Sequence, residues 1–262
     1  MYENIYKTAL GLIDLTSLNS TDTHSKITSL VEKVNSFNDI YPDYPLPASI
    51  CVYPNFAKTI ADVRANKDVH ITVVGGCFPA SQSFLGVKVL ECAKAVKDGA
   101  DEVDIVLALN AFLDGNYEEC KEEIREIKQA VTTVNPAAHL KVILETGALQ
   151  TTDNIIKASY LAMESGADFI KTSTGKMSPA ATPEAAEIMC RCIRDYYEET
   201  GKKVGFKPAG GISTPEDAVT YYQIVKEILG EEWLNKELFR FGASRMANNL
   251  LSALEGSEIK YF

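Results

Sequence analysis

The feature that most constrains the fold is a regular alternation of short apolar segments with amphipathic ones along the 262 residues. Segment 102–109 has apolar residues on both faces, as a strand of a buried parallel sheet requires. The stretch that follows Tyr117 has its apolar residues at steps of three and four, which predicts an amphipathic helix. Parallel strands need crossover helices between them, so this pattern predicts an α/β fold around a parallel sheet.

The chain contains eight such strand–helix units, with short connections and no sign of an antiparallel hairpin. The predicted strands are residues 11–18, 48–53, 69–74, 102–109, 139–144, 168–171, 203–209 and 238–241. Eight units predict a single (β/α)8 barrel, the TIM barrel, over residues 1–262 with a short C-terminal tail. An open, doubly wound sheet is the alternative fold, but the glycine-rich turn that it normally has after an early strand is missing.

Two predicted helix starts have the same sequence form. Thr182-Pro183-Glu184 and Thr214-Pro215-Glu216 each combine a threonine that can cap the helix, a proline at the first helical position and an acidic first turn. We therefore predict helices that begin at the two prolines.

The composition narrows the classes of function. A formal net charge of −10 disfavours a general affinity for nucleic acid or for an anionic membrane. The sequence contains no run of about 18 apolar residues, which is the length needed to span a bilayer. The N-terminus lacks the features of a signal peptide, so we expect a cytoplasmic protein without membrane attachment. The six cysteines are scattered, and we expect reduced thiols that pack as small apolar residues.

Chemistry in a (β/α)8 barrel takes place at the C-terminal ends of the strands, which limits the search for site residues. The residues found there are Asp14, Thr16, Cys51, Tyr53, Asp104, Lys171, Thr172, Thr174 and Lys207. Two lysines and one aspartate within otherwise apolar strands are the outliers. If Lys171 and Lys207 both point into the barrel mouth, the charge of one lowers the pKa of the other and leaves free amine near neutral pH.

Simpler interpretations of these three residues remain open. Lys171 can extend its ammonium group into a solvated loop while its aliphatic stem packs inside. Asp104 can be a structural partner of either lysine, or it can hold the charged lysine and exchange protons with it. The residues alone therefore allow both a catalytic and a structural role.

Glycine-rich turns follow the last two predicted strands. Gly210-Gly211 and Gly242-Ala243-Ser244 occupy the two loops in which barrels of this kind commonly bind phosphate through backbone N–H groups and a helix N-terminus. The alternative is that they are ordinary tight turns. We expect no metal centre, because the only histidines are His24, His70 and His139, and the last two lie at strand starts, away from this face.

Four motifs together resemble the deoxyribose-phosphate aldolase family. They are ADEVD at 100–104, KVILETG at 141–147, FIKTSTGK at 169–176 and VGFKPAGG at 204–211. Four motifs in the right order are far more specific than any one of them. The resemblance covers nearly the whole chain, from Asp14 to Ser244.

This resemblance implies a class I aldolase, without metal or cofactor, that reversibly cleaves 2-deoxy-D-ribose 5-phosphate to acetaldehyde and D-glyceraldehyde 3-phosphate. By position, Lys171 would form a Schiff base with the substrate, Lys207 would tune it and Asp104 would relay protons. The residues that would bind the substrate and its phosphate are Asp14, Thr16, Cys51, Thr172, Thr174, Gly175, Lys176, Gly210, Gly211, Gly242 and Ser244. The partners would be small-molecule sugar phosphates and aldehydes, and the protein would be a monomer or a homodimer.

The chain departs from the family pattern in two places. Ser213 stands where an arginine is common and Arg245 where a second serine is common, so Arg245 either supplies the charge lost at position 213 or is a solvated residue of the last helix. Many relatives end in a tyrosine that acts as a mobile proton carrier, whereas this sequence ends in Tyr261 and Phe262. Tyr261 can serve in this way if the tail folds over the barrel mouth.

Two other functions remain open at this level. One is a different lysine-dependent aldolase that acts on another sugar, because fold and Schiff-base chemistry do not fix the substrate. The other is a non-catalytic barrel that binds a sugar phosphate, which would be expected to lack one of the two lysines.

Overall fold

Eight parallel strands form the centre of the molecule. The computed structural model describes residues 2–262, and its strands are β1 Ile13–Thr16, β2 Ser49–Val52, β3 His70–Gly75, β4 Glu102–Val106, β5 His139–Ile143, β6 Phe169–Lys171, β7 Gly205–Lys207 and β8 Phe241–Ala243. Each strand from β1 to β6 pairs with the next in sequence, and β8 pairs with β1. Two isolated bridges, Phe206 with Phe239 and Ala209 with Gly242, nearly close the barrel between β7 and β8.

Helices surround this barrel and connect its strands. They are α1 Glu3–Leu10, α2 His24–Asn35, α3 Phe37–Ile40, α4 Ala57–Val63, α5 Leu85–Lys97, α6 Leu109–Leu113, α7 Tyr117–Val134, α8 Thr146–Leu149, α9 Thr152–Glu164, α10 Pro183–Thr200, α11 Pro215–Leu229 and α12 Met246–Glu255. No helix within residues 2–262 is long and apolar enough to cross a membrane.

The strand order confirms the predicted (β/α)8 barrel. An open doubly wound sheet reverses its strand order at a switch point, whereas here neighbours in the sheet are neighbours in sequence all the way around. The two predicted helix starts are also confirmed. Thr182 accepts a hydrogen bond from the N–H of Ala185, and Thr214 forms a reciprocal capping box with Asp217.

Some local predictions differ from the structure. The eighth strand begins at Phe241 and not at residue 238, because the chain bonds first to β7 and only then to β1. The N–H of Arg240 donates to the carbonyl of Phe206, and the N–H of Phe241 donates to that of Leu12. Helix α1 is missing from the prediction because Tyr2, which precedes it, provides no side-chain cap.

The barrel interior contains one contact that only glycine allows. Phe169 on β6 and Gly205 on β7 are register partners. A Cβ atom at position 205 would lie 2.3 Å from Cε1 of the Phe169 ring, far inside van der Waals contact. The ring therefore occupies the space that a side chain of β7 would need.

Alanine substitutions at two glycines should change stability in opposite directions. Gly205→Ala forces the ring of Phe169 or its strand to move, and overpacking of this kind costs about 1–3 kcal/mol. Gly86→Ala lies in α5, where no atom is within 4 Å of the new Cβ, and it should stabilise the fold by about 0.5–1 kcal/mol. Urea titrations measure both free energies of unfolding. Unchanged stability of the Gly205→Ala protein would contradict the packing argument.

Candidate active site

Seven buried charged side chains, four cations and three carboxylates, meet inside the barrel. This charged cluster consists of Lys141, Lys171, Lys207, Arg240, Asp14, Glu102 and Asp104, and none of them is more than 3% exposed. Burying a charge is costly unless it is paired and hydrogen-bonded. The pairing within the cluster therefore decides the protonation state of each group.

Asp104 on β4 is the centre of the charged cluster. Its Oδ2 accepts hydrogen bonds from Nζ of Lys171 at 2.8 Å and from Nζ of Lys207 at 2.7 Å, and its Oδ1 accepts one from Nζ of Lys141 at 3.2 Å. The strand register explains this convergence. Lys171 and Lys207 are direct partners on β6 and β7, and Asp104 and Lys141 are direct partners on β4 and β5.

Arg240 joins the other two carboxylates of the cluster. It donates through Nη1 to Oδ1 of Asp14 at 2.6 Å and through Nη2 to Oε1 of Glu102 at 2.7 Å. Lys207 also contacts Asp14, and Lys141 also contacts Glu102. These three cations therefore have at least two carboxylate partners each.

The cations lower the pKa values of the carboxylates. Burial alone would raise the pKa of Asp104, but the three lysines around it outweigh burial and hold this pKa well below its ordinary value. Burial likewise opposes ionisation of Asp14, yet Lys207 and Arg240 bring its pKa to about 2. Both carboxylates are therefore ionised at neutral pH.

The pKa values of the two lysines at the strand ends, Lys171 and Lys207, are shifted in opposite directions. Burial lowers the pKa of Lys171 below its ordinary value; Asp104 opposes this shift, and the charge of Lys207 adds to it. Burial also disfavours the charged form of Lys207, but Asp104 and Asp14 outweigh it and raise its pKa. Lys207 thus stays protonated, while Lys171 loses its proton more readily.

The number of charges in the cluster leads to the same conclusion. Three carboxylates balance Lys141, Lys207 and Arg240, which leaves Lys171 as the fourth cation. Its single carboxylate partner is Asp104, which it shares with two other lysines. Removing the proton of Lys171 makes the cluster neutral, so this amine is the one most easily freed.

Lys171 also lines a cavity of about 250 Å³ at the C-terminal ends of the strands. Ten of the residues that the sequence analysis proposed form its wall: Thr16, Lys171, Thr174, Gly175, Lys176, Gly210, Gly211, Gly242, Ser244 and Arg245. The remaining wall residues are Leu18, Asn19, Ala209, Ile212 and Ala243. The amine and the glycine loops therefore face one common space.

Thr172 lies beside this wall and has a structural contact. Its hydroxyl accepts a hydrogen bond from the N–H of Ala209 at 2.9 Å and donates one to the carbonyl of the same residue at 3.1 Å. Thr172 thus ties the loop after β6 to the loop after β7, and both loops contribute to the cavity.

Cys51 and Tyr261 take no part in the cavity wall. Cys51 is buried beside Val74, and burial raises the pKa of its thiol, which disfavours the reactive thiolate. The hydroxyl of Tyr261 donates to the carbonyl of Lys33 at 2.6 Å, and its ring packs edge-on against Phe37. The tail therefore packs on α2 and α3, and the structure does not bring Tyr261 to the charged cluster.

The loops around the cavity allow close approach to backbone N–H groups. Gly175, Gly210 and Gly211 have φ angles of 75°, 87° and 80°, a region that favours glycine. The N–H groups of Gly175 and Gly211 donate to no acceptor among residues 2–262. Helix α12 begins directly after Arg245, so its N-terminus also faces this wall. These features are typical of an anion site.

Ser213 and Arg245 differ in their relation to this wall. The N–H of Ser213 donates to Oδ2 of Asp217 at 2.8 Å, and its side chain is not part of the cavity. Arg245 lines the cavity and forms no ion pair within the described part of the chain. The other cation of the loops, Lys176, donates to the carbonyl of Leu18 at 2.6 Å.

The charged cluster also contains three residues that were not predicted from the sequence: Lys141, Glu102 and Arg240. Each is a charged residue within or next to a predicted strand, so a signal was present. Glu102 lies at the start of β4 and Arg240 just before β8, away from the strand ends that carry the predicted site, whereas Lys141 is the register partner of Asp104 and lies level with it. Glu102 is the first residue of β4. Its Oε1 is 2.7 Å from Nδ1 of His70, which lies at the start of β3.

The side chains offer amine and carboxylate groups for chemistry, and backbone N–H groups for binding. Among residues 2–262, no group of three or more His, Cys, Asp or Glu side chains is arranged to hold a metal ion.

The fold and the site define a (β/α)8-barrel enzyme with a buried amine at the C-terminal ends of its strands. Comparison with known families gives a match to the DeoC/LacD family aldolases over residues 8–227. The chain therefore belongs to the DeoC/LacD aldolase family, and it is a carbon–carbon lyase.

Individual relatives agree with this assignment. A human deoxyribose-phosphate aldolase is 41% identical over 254 residues, which cover 92% of this chain and 78% of that protein. The deoxyribose-phosphate aldolase of Bos taurus is 41% identical over 250 residues, which cover 91% of this chain and 77% of that protein. Among solved structures, the aldolase QR15 superposes with a TM-score of 0.74 at 29% identity, covering 94% of this chain and 96% of that one.

Removing the guanidinium of Arg240 should strongly destabilise the barrel. Arg240→Met leaves Asp14 and Glu102 buried with one cation fewer, and breaking a buried pair in this way costs about 3–5 kcal/mol. Arg191→Met is the matched control, because the side chain of Arg191 is 56% exposed and its pair with Glu187 lies on the surface of α10. Urea unfolding compares the two variants. A loss no larger in Arg240→Met than in the control would refute this role.

Proposed function

We propose that this protein reversibly cleaves 2-deoxy-D-ribose 5-phosphate to acetaldehyde and D-glyceraldehyde 3-phosphate through a Schiff base on Lys171. The names of the human and bovine relatives support the substrate. The observation that carries the mechanism is the position of Lys171 as the fourth cation among three carboxylates, on the wall of the cavity. Such an amine loses its proton more readily than an ordinary lysine, and the neutral form is the nucleophile.

The reaction begins when the free amine of Lys171 adds to the C1 aldehyde of the open-chain sugar and water is lost. The product is a protonated imine, which accepts the electron pair of the C2–C3 bond when that bond breaks. The proton of the C3 hydroxyl leaves at the same step, so D-glyceraldehyde 3-phosphate departs and an enamine of acetaldehyde remains. Protonation at C2 and hydrolysis of the imine then release acetaldehyde and regenerate the amine.

Asp104 and Lys207 suit the proton transfers of this sequence. In the proposed mechanism they move protons, with a water molecule, to and from the C3 hydroxyl and the enamine carbon. The pKa of Asp104 is well below the ordinary value, so Asp104 is ionised between proton transfers and pairs with the cationic imine. Lys207 keeps its own charge, which favours the neutral form of Lys171 before each turnover.

The phosphate is proposed to lie at the opposite wall of the cavity. Gly175, Gly210 and Gly211 would offer N–H groups, and Gly242 and Ser244 stand before the N-terminus of α12. Lys176 and Arg245 supply positive charge there. Arg245 would then compensate for Ser213, whose N–H is occupied by Asp217.

The remaining expectations fit this proposal. Thr16 and Thr174 line the cavity and would bond the sugar hydroxyls. Asp14 does not line the cavity and would act indirectly, through its ion pair with Lys207. The imine itself is the electron sink, so the reaction requires neither a cofactor nor a metal. A role for Tyr261 would require the tail to leave α2 and α3.

We further propose a single domain over residues 1–262, a cytoplasmic location and a monomer or homodimer.

Reduction with borohydride should trap the substrate on Lys171. Borohydride added during turnover of 2-deoxy-D-ribose 5-phosphate converts the imine to a stable amine, and peptide mass mapping should place the adduct at Lys171. Lys202→Ala, which removes an exposed lysine, should trap as well as the wild type. Full trapping in the Lys171→Ala protein would disprove the assignment.

Loss of the Arg245 charge should weaken the preference for a phosphorylated substrate. Arg245→Ser should lower about tenfold the ratio of kcat/KM for 2-deoxy-D-ribose 5-phosphate to that for 2-deoxy-D-ribose, because a charge-assisted contact to the phosphate is lost. Arg194→Ser is the control, since Arg194 pairs with Asp195 on the outer surface of α10. An unchanged ratio in Arg245→Ser would show that Arg245 does not compensate for Ser213.

A further inference from the structure

Glu145 is a buried carboxylate outside the charged cluster. It lies two residues after the end of β5, is 2% exposed and has a left-handed backbone conformation with φ 54° and ψ 61°. Within residues 2–262 no Lys, Arg or His nitrogen forms an ion pair with it. Both a buried unpaired carboxylate and a left-handed non-glycine residue are unfavourable, so the contacts of Glu145 must compensate for them.

Both oxygens of this carboxylate bond to the same residue of the cavity wall. Oε1 accepts a hydrogen bond from the N–H of Thr174 at 3.2 Å, and Oε2 accepts one from the hydroxyl of Thr174 at 2.5 Å. The hydroxyl oxygen of Thr174 in turn accepts from the N–H of Lys176 at 3.0 Å. Glu145 therefore fixes the three-residue turn formed by Thr174, Gly175 and Lys176.

This turn is connected to two further loops at the cavity. Nζ of Lys176 donates to the carbonyl of Leu18 in the loop after β1. A Cβ atom on Gly210, in the loop after β7, would lie 2.9 Å from the Cα of Gly175, so the two loops touch. A shift of the turn would therefore move groups on three sides of the proposed phosphate site.

We propose that Glu145 is a positioning residue that sets the preference for phosphorylated substrates, by holding the turn 174–176 so that the N–H of Gly175 and the ammonium of Lys176 face the phosphate. This inference rests on the proposed function. Glu145 acts through Thr174, because Glu145 is not part of the cavity wall whereas Thr174 is. Electrostatics alone would predict the opposite effect, since a carboxylate near a phosphate repels it.

Glu145→Gln separates the two explanations. The amide oxygen can still accept from the N–H of Thr174, but the NH2 group can only donate to the hydroxyl of Thr174, so the charge-assisted bond in which this hydroxyl donates to Oε2 is lost. A positioning role predicts that the ratio of kcat/KM for 2-deoxy-D-ribose 5-phosphate to that for 2-deoxy-D-ribose falls about tenfold, mainly through a higher KM for the phosphorylated sugar. A purely repulsive carboxylate predicts that the ratio rises.

A double-mutant cycle with Thr174 tests the route of the effect. Thr174→Val removes the hydroxyl that Glu145 bonds, so Glu145→Gln should have little further effect on the ratio when it is added to Thr174→Val. Thr174→Ser keeps the hydroxyl and should restore most of the preference. Glu126→Gln, an exposed carboxylate of α7, is the control for loss of one negative charge. Additive effects of Glu145→Gln and Thr174→Val would overturn the proposal.

Titration with inorganic phosphate in a calorimeter keeps this test independent of catalysis. Glu145→Gln should weaken phosphate binding about tenfold, while Glu126→Gln should leave it unchanged. Equal binding by wild type and Glu145→Gln would refute the positioning role even if the sugar is cleaved. Failure of the wild type to cleave the sugar, with the expected difference in phosphate binding, would refute the proposed function and leave the role of Glu145 supported.

Discussion

Three lysines at the centre of this barrel share the carboxylate of Asp104, but they differ in how many other carboxylates they contact. Two of these lysines have further carboxylates to bond, namely Asp14 for Lys207 and Glu102 for Lys141. Lys171 has none, and burial acts against its charge. Lys171 thus loses its proton more readily than an ordinary lysine, because the barrel contains more positive groups than its anions can balance. The pKa difference between two lysines that are neighbours in register follows from this arrangement.

The sequence was sufficient for the barrel and for the centre of this arrangement. Lys171, Lys207 and Asp104 stood out because charged residues are rare at the ends of strands that are apolar on both faces. Lys141, Glu102 and Arg240 were missed because a strand pattern shows which residues are buried, but not which of them meet across the barrel. Their contacts depend on the stagger of strands that lie far apart in sequence, such as β4 and the chain before β8.

Loop and tail geometry was harder to predict for a different reason. The proposed role of Glu145 depends on its left-handed backbone conformation. A glutamate rarely adopts this conformation, and no local sequence pattern predicts it here. The final residues are held by tertiary contacts, with the N–H groups of Tyr261 and Phe262 both donating to Oδ1 of Asn248. Sequence position could suggest that Tyr261 reaches the barrel mouth, but only the packing on Phe37 and Lys33 shows where the tail lies.

Arg240 is the last charged residue of the cluster along the chain. The strands from β1 to β7 contain three lysines and three carboxylates of the cluster, so without the last segment every lysine has an anion to balance it. Arg240 enters just before β8, where the backbone closes the barrel by only isolated bridges, and it takes up Asp14 and Glu102. With Arg240 in place, the cluster has four cations and three carboxylates, and loss of the Lys171 proton would make it neutral. In the proposed mechanism, the free amine of Lys171 therefore depends on the last segment of the barrel being in place.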